Sequence, residues 1–208
     1  MLSYDTASAF FLASVLLAIA PGPDNIFVLT QSALYGKRSG LAVMGGLCTG
    51  LIVHTLAVAF GVAVIFQVSV VAFTVLKTVG AAYLLYLAWQ IVRAAPERIE
   101  LGEARGKSLG RLYRRGILMN ITNPKVSIFF LAFLPQFANP ERGPISVQMI
   151  VLGGIFILAT ILIFGSVALL GGTLGDWLNR SPRAQRILNG LAGMIFVGLA
   201  LRLVTTER

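Results

Sequence analysis

Six long apolar stretches alternate with short polar segments along the 208 residues of this chain. A helix needs about 20 apolar residues to cross the hydrocarbon core of a bilayer. The pattern therefore predicts an all-α integral membrane protein with six transmembrane helices. The second and third spans are barely separated, because Gln67, Ser69 and Thr74 are the only polar residues there before Lys77, and we expect a tight hairpin between them. The predicted spans cover approximately residues 7–32, 40–66, 70–93, 116–137, 146–171 and 187–204.

The composition agrees with a membrane location. Hydrophobic residues make up 57% of the chain and charged residues 12%, against about 25% charged residues in soluble domains. The net charge of +9 raises the question of nucleic-acid binding, but the charges fall between the apolar stretches and not along one polar face. We therefore expect membrane lipids, and no nucleic acid, around this chain.

The distribution of Lys and Arg predicts the orientation of the spans. Positively charged connectors face the cytoplasm, so the side with twelve of these residues is expected to be cytoplasmic and both termini to face outward. The only sizeable hydrophilic segment, residues 94–115, lies on that side and is basic. The twelve are Lys37, Arg38, Arg93, Arg98, Arg105, Lys107, Arg111, Arg114, Arg115, Arg180, Arg183 and Arg186, and the four on the other side are Lys77, Arg142, Arg202 and Arg208.

The first apolar stretch is interrupted by Pro21, Gly22, Pro23, Asp24 and Asn25. Proline lacks the backbone N–H of a helical hydrogen bond, so a continuous helix is not expected here. A broken helix that carries a charge at membrane depth is tolerated where it lines a cavity or is buried in protein. Asp24 has two compatible interpretations: it caps the second half of the helix, or it belongs to a transport site.

The fourth stretch contains a second break, at Asn120, Asn123, Pro124 and Lys125. Pro124 removes one helical donor and clashes with the carbonyl of Asn120, and it disfavours helical geometry at Asn123. Lys125 follows directly, near the start of an apolar run. It either extends towards the membrane interface or faces a cavity as a cation, paired with Asp24 or holding a substrate carboxylate.

His54 is the single histidine, and it shares a helix face with Gly46, Gly50 and Gly61. A stripe of glycines allows a neighbouring helix to approach closely, which would place His54 at a protein interface. Two interpretations remain open. His54 packs there with one satisfied hydrogen bond, or it carries a proton, because histidine titrates near neutral pH.

The two halves of the chain resemble each other in order. Pro23-Asp24 in the first span corresponds to Pro124-Lys125 in the fourth, and Phe60-Gly61 in the second corresponds to Phe164-Gly165 in the fifth. Three spans is an odd number, so the second half would be inverted relative to the first. Such inverted repeats bind their ligand near the midplane, at the broken helices. We expect a single domain over 1–208, a 3+3 inverted repeat with halves of approximately 1–93 and 116–208, joined by residues 94–115.

The sequence contains no pattern typical of an enzyme. It has no cluster of metal-ligand residues, no nucleophile accompanied by a base, and no glycine-rich phosphate loop at a strand–helix junction. We therefore expect no enzymatic activity, no cofactor and no metal site.

With these motifs the chain resembles the LysE/RhtB family of amino-acid exporters, the LysE-type translocators. The resemblance implies a small multi-pass protein of the bacterial inner membrane that exports amino acids or close derivatives using proton or membrane-potential energy. With the orientation predicted from the basic residues, both termini would lie in the periplasm. The motifs that carry it are Pro21-Gly22-Pro23-Asp24-Asn25, Gly36-x-x-x-Gly40, Lys77-x-x-Gly80-x-x-Tyr83-Leu84, Asn120-x-x-Asn123-Pro124-Lys125, Phe129-Phe130 and Pro135-Gln136-Phe137.

The resulting hypothesis is a proton-coupled antiporter that works by alternating access, with substrate between the two breaks. Asp24 would meet the amino group, Lys125 and free N–H groups the carboxylate, and Asp24 or His54 would take up the proton. Because Asp24 is the sole acid at membrane depth, a neutral substrate such as threonine, homoserine or leucine is favoured. An exporter of another small solute or metal cation, a membrane-embedded enzyme or redox partner, and the choice between monomer and homo-oligomer stay open.

Overall fold

The computed structural model describes residues 2–62, 70–94 and 108–205, which form eight α-helices and no strand. The helix over Lys37–Ala57 continues as a π-helical turn over Val58–Val62. The short helix over Pro124–Ile128 continues through a π-helical turn over Phe129–Phe133 and a 3₁₀ turn over Leu134–Phe137, and a second 3₁₀ turn covers Pro140–Arg142. The helices are α1 (Tyr4–Ile19), α2 (Pro23–Tyr35), α3 (Lys37–Ala57), α4 (Val70–Arg93), α5 (Leu109–Thr122), α6 (Pro124–Ile128), α7 (Ile145–Arg180) and α8 (Pro182–Thr205).

Four helical segments are long and apolar enough to cross a membrane, and two bent pairs of helices bring the number of spans to as many as six. The pair α1 and α2 bends by 62°, and the pair formed by α5 and the segment from α6 to Phe137 bends by 51°. This confirms the predicted all-α membrane fold with the first and fourth spans broken. The four straight segments are Lys37–Gly61, Thr74–Arg93, Ile145–Gly171 and Pro182–Thr205.

Two predicted boundaries differ from the structure. The fourth span was placed at 116, but α5 begins at Leu109, because Arg111, Arg114 and Arg115 lie on the exposed side of a helix and not in a loop. Helix α7 also extends to Arg180, beyond the predicted end at 171. The predicted hairpin at 67–69 and residues 95–107 of the predicted connector lie outside the described residues.

The two broken spans run antiparallel and lie side by side. The ring of Phe10 in α1 is 4.9 Å from that of Phe137 at the end of the fourth span. At the opposite end, the Arg115 guanidinium in α5 stacks 4.5 Å over the ring of Phe27 in α2. The start of the first span therefore meets the end of the fourth, and the two breaks lie at similar depth.

The remaining spans also pair in antiparallel fashion between the halves. Lys77 Nζ in α4 donates to the Val204 carbonyl in α8 at 3.1 Å, and Asn189 Nδ2 in α8 donates to the Ala94 carbonyl that follows α4, at 3.5 Å. In α3 and α7, Thr55 packs against Gly153, while Met44 lies near Gly165 at the other end. Spans one and four, two and five, and three and six are thus antiparallel to each other, while the first span packs mainly against the fifth and the fourth mainly against the second.

Helices α3 and α5 approach so closely that only glycine fits at their contact. A Cβ on Gly46 would collide with the Tyr113 carbonyl and lie 3.0 Å from the Gly116 Cα, and one on Gly50 would lie 2.6 Å from Asn120 Oδ1. The predicted close approach is therefore confirmed for Gly46 and Gly50, which hold α3 against the second break. It is wrong for Gly61, which is exposed and has open space where a Cβ would lie.

We predict that Gly46→Ala destabilises the protein by roughly 1–3 kcal/mol, because the added methyl forces α3 and α5 apart. Gly45→Ala is the matched control, since its Cβ would lie 3.6 Å from the Tyr113 ring, an ordinary contact. The control should keep or raise the melting temperature through the better helix propensity of alanine. Thermal unfolding of both purified variants in detergent measures the difference, and equal melting temperatures would contradict the packing described here.

Candidate functional site

The two breaks meet at a small cavity between the helices. Its volume is about 20 Å³, which is room for about one water molecule. Two apolar clusters lie around it, one containing Phe10, Phe129 and Phe156, the other containing Val28 and Phe164. The cavity is lined by Leu17, Ala18, Asp24, Leu47, Leu51, Asn120, Lys125, Val126, Phe156, Thr160 and Phe164.

At the first break, α1 ends at Ile19 and α2 begins at Pro23, with Gly22 as its N-cap. Pro21 has no N–H to offer the carbonyl of Leu17, four residues earlier. Lys125 Nζ supplies the missing donor, at 3.4 Å from the Leu17 carbonyl and 3.0 Å from that of Ala20. The free carbonyls at the first break thus accept hydrogen bonds from an ammonium group of the fourth span.

At the second break, Pro124 occupies the first position of α6, and Asn123 caps that helix by accepting from the Lys125 backbone N–H at 3.0 Å. Pro124 likewise removes the helical donor for the Asn120 carbonyl. That carbonyl accepts instead from the Asn123 backbone N–H at 3.1 Å and from His54 Nε2 at 3.2 Å. His54 therefore contacts the second break from α3, and it is not among the residues that line the cavity.

Asp24 and Lys125 are both buried, with 4% and 8% of their surfaces exposed. Asp24 lies in the first turn of α2, where Gly22 is the N-cap, so the interpretation of Asp24 as the cap itself is wrong. Lys125 points across to the first break and not towards the membrane interface, so the alternative of an extended interfacial lysine is also wrong. The two charges attract each other within the bundle.

Several buried polar atoms around the breaks have no hydrogen-bond partner within the described part of the chain. They are Asp24 Oδ1, Asn25 Oδ1, Asn120 Oδ1, Asn123 Nδ2 and Thr160 Oγ1. A buried polar group without a partner costs roughly 1–3 kcal/mol, and such groups are uncommon in native proteins. Asn123 and Asn120 interact with the Asp24 carboxylate, and the atoms that stay unpartnered can bond to a polar guest.

Most of the residues named from the sequence come together at this place. Asp24, Asn120 and Lys125 line the cavity. Asn25 braces the break, because its Nδ2 donates to the Ala18 carbonyl at 2.7 Å. Gly22 leaves space for the lysine: a Cβ there would lie 3.1 Å from Lys125 Nζ.

The cavity wall contributed by α7 was not predicted from the sequence. Phe156, Thr160 and Phe164 recur every four residues on one face of that helix and line the cavity together. The available signal was Thr160, a polar residue in the middle of a long apolar stretch. A lone threonine is common in apolar helices, so this signal did not indicate a site.

Comparison with known proteins adds independent information. Residues 15–207 match the family model described as LysE type translocator. A homoserine/homoserine lactone efflux protein of Salmonella typhi is 36% identical over 190 residues, which cover 91% of this chain and 91% of that relative. An uncharacterized membrane protein of Vibrio cholerae is 34% identical over 200 residues, covering 96% of each chain. No solved structure matches the chain.

Proposed function

Because the chain belongs to the family of LysE-type translocators, we propose that it exports a small neutral amino acid of the homoserine type across a bacterial inner membrane. The match over residues 15–207 confirms the resemblance predicted from the motifs. The chain is an efflux transporter and not an enzyme, so the alternative of a membrane-embedded enzyme or redox partner was wrong.

The proposal rests on one observation: the two breaks bring together opposite charges, those of Asp24 and Lys125, and several unpartnered polar atoms. An amino acid carries an ammonium and a carboxylate on the same carbon. Asp24 Oδ1 and the carbonyls freed at the first break suit the ammonium. Lys125, Asn123 Nδ2 and the N-terminus of α6 suit the carboxylate, because helix N-termini attract anions.

The size of the cavity supports alternating access. Room for about one water molecule does not admit an amino acid, so substrate enters only when the helices around the site separate. Apolar clusters with Phe129 and Phe164 pack around the site. The antiparallel relation between corresponding spans of the two halves is the arrangement that an inverted repeat produces, and inverted repeats operate by rocking around a central site.

The neutral character of the substrate follows from the charge count at the site. Asp24 and Lys125 match the two charges of a zwitterion, and within the described residues the cavity lining offers no second acid for a cationic side chain. The efflux protein of Salmonella typhi is named for homoserine and its lactone, which are small and polar. These points favour homoserine-like substrates over lysine or arginine.

We predict that Asp24→Asn and Lys125→Met each reduce homoserine efflux at least 10-fold, since a hydrogen bond to a charged group contributes roughly 1.5–3 kcal/mol. Efflux of labelled homoserine from loaded proteoliposomes measures this. The matched controls are Asp5→Asn and Lys37→Met, which change the same residue types at exposed positions and should stay near wild type. If both site variants export homoserine at the wild-type rate, the site assignment is refuted. If the wild-type protein exports no amino acid, the proposed substrate class is refuted.

The proposed orientation places Arg38 in the cytoplasm and Glu141 in the periplasm, as the excess of basic connectors favours. Both side chains are exposed. In a Cys48→Ser background, we expect a membrane-impermeant thiol reagent added to intact cells to label Glu141→Cys. Arg38→Cys should be labelled only after the inner membrane is permeabilised, and the reverse pattern would invert the topology.

Proton coupling is assigned in this proposal to Asp24, because its carboxylate lines the cavity while His54 is engaged with the Asn120 carbonyl outside it. We therefore predict that His54→Gln, which keeps a side-chain donor, still accumulates homoserine against its gradient when a pH gradient is imposed. Steady-state accumulation in vesicles is the measurement. If His54→Gln exchanges homoserine at the normal rate but no longer accumulates it, the coupled proton is carried by His54 and not by Asp24.

A further inference from the structure

Ser32 and Thr160 are the buried hydroxyl residues without a hydrogen-bond partner in the described part of the chain, and of the two only Thr160 lines the cavity. Its side chain is 3% exposed, and its Oγ1 has no hydrogen-bond partner within the described residues. Helical Ser and Thr side chains usually bond to the carbonyl four residues earlier. Thr55 does so with Leu51 at 2.7 Å, and Ser166, on the same helix as Thr160, does so with Leu162 at 2.7 Å.

The position of Thr160 indicates a binding role for its unpartnered hydroxyl. Thr160 lines the same cavity as Asp24 and Lys125, but it does so from α7. Phe156 and Phe164 lie one turn before and after it on that helix. The α7 side of the cavity is thus apolar except for one hydroxyl that is free to bond.

We propose that Thr160 is the specificity-determining residue of the site and bonds the side-chain hydroxyl of a small hydroxylated amino acid such as homoserine. The inference rests on the proposed function, since the breaks hold the ammonium and carboxylate and thereby direct the side chain towards α7. The methylene groups pack against Phe156 and Phe164, and the terminal hydroxyl reaches Thr160 Oγ1. An apolar side chain of the same length leaves this buried hydroxyl unpaired, which disfavours its binding.

The test compares homoserine with norvaline, in which a methyl group replaces the hydroxyl at equal chain length. Efflux of each is measured from proteoliposomes containing wild-type protein or Thr160→Val, Thr160→Ser and Thr160→Ala. We expect the wild type to prefer homoserine and Thr160→Val to lower the homoserine-to-norvaline ratio roughly 3- to 10-fold, the effect of one lost hydrogen bond. Thr160→Ser, which restores the hydroxyl, should retain the preference.

Thr55→Val is the matched control, because it makes the same change at a site that is equally buried but bonded to its own helix. Its efflux ratio should equal that of the wild type. If Thr160→Val does not insert stably, the ratio for Thr160→Ala decides the same question. An unchanged ratio in the variants that lack the hydroxyl, or a wild type that exports both amino acids equally, overturns the role of Thr160 and leaves the exporter intact. A wild type that exports no amino acid overturns the proposed function itself.

Discussion

A backbone carbonyl that loses its helical hydrogen bond inside a membrane needs a donor from the protein, because the hydrocarbon core offers no water. Pro21 and Pro124 each create such a carbonyl, at Leu17 and Asn120. Lys125 donates to the first, and both His54 and the backbone N–H of Asn123 donate to the second. The interruption of each span is therefore stabilised by a side chain from a different span, and the two breaks depend on the tertiary structure that they help to form.

Close helix packing makes these contacts possible. Gly46 and Gly50 let α3 lie directly against α5, which brings His54 to the second break. The antiparallel arrangement of the first and fourth spans places Lys125 beside the end of α1. An ammonium at the carboxyl end of a helix is also favoured by the helix dipole. Helix packing and the helix dipole thus both favour the Lys125 ammonium at the end of α1.

The same arrangement leaves the protein with unpartnered polar atoms in its interior, including Asp24 Oδ1 and Thr160 Oγ1. Such atoms lower stability, and a carrier can use them because a ligand provides the missing hydrogen bonds during part of each cycle. The apolar clusters around the cavity keep it too small for an amino acid in this conformation. Movement of the helices around the breaks is then what couples binding to transport.

The sequence by itself determined the six spans and both breaks, because span length and the missing proline N–H act locally. It did not determine the direction of Lys125 or the cap of α2, since each had two locally acceptable solutions. It placed the start of α5 too late, because arginines on an exposed helix face resemble a polar connector. Only the tertiary structure decided that Lys125 contacts Ala20, 105 residues earlier in the chain, and that Thr160 shares a cavity with Asp24. The rotation of each helix about its axis sets such contacts, and that rotation depends on packing between spans far apart in the sequence.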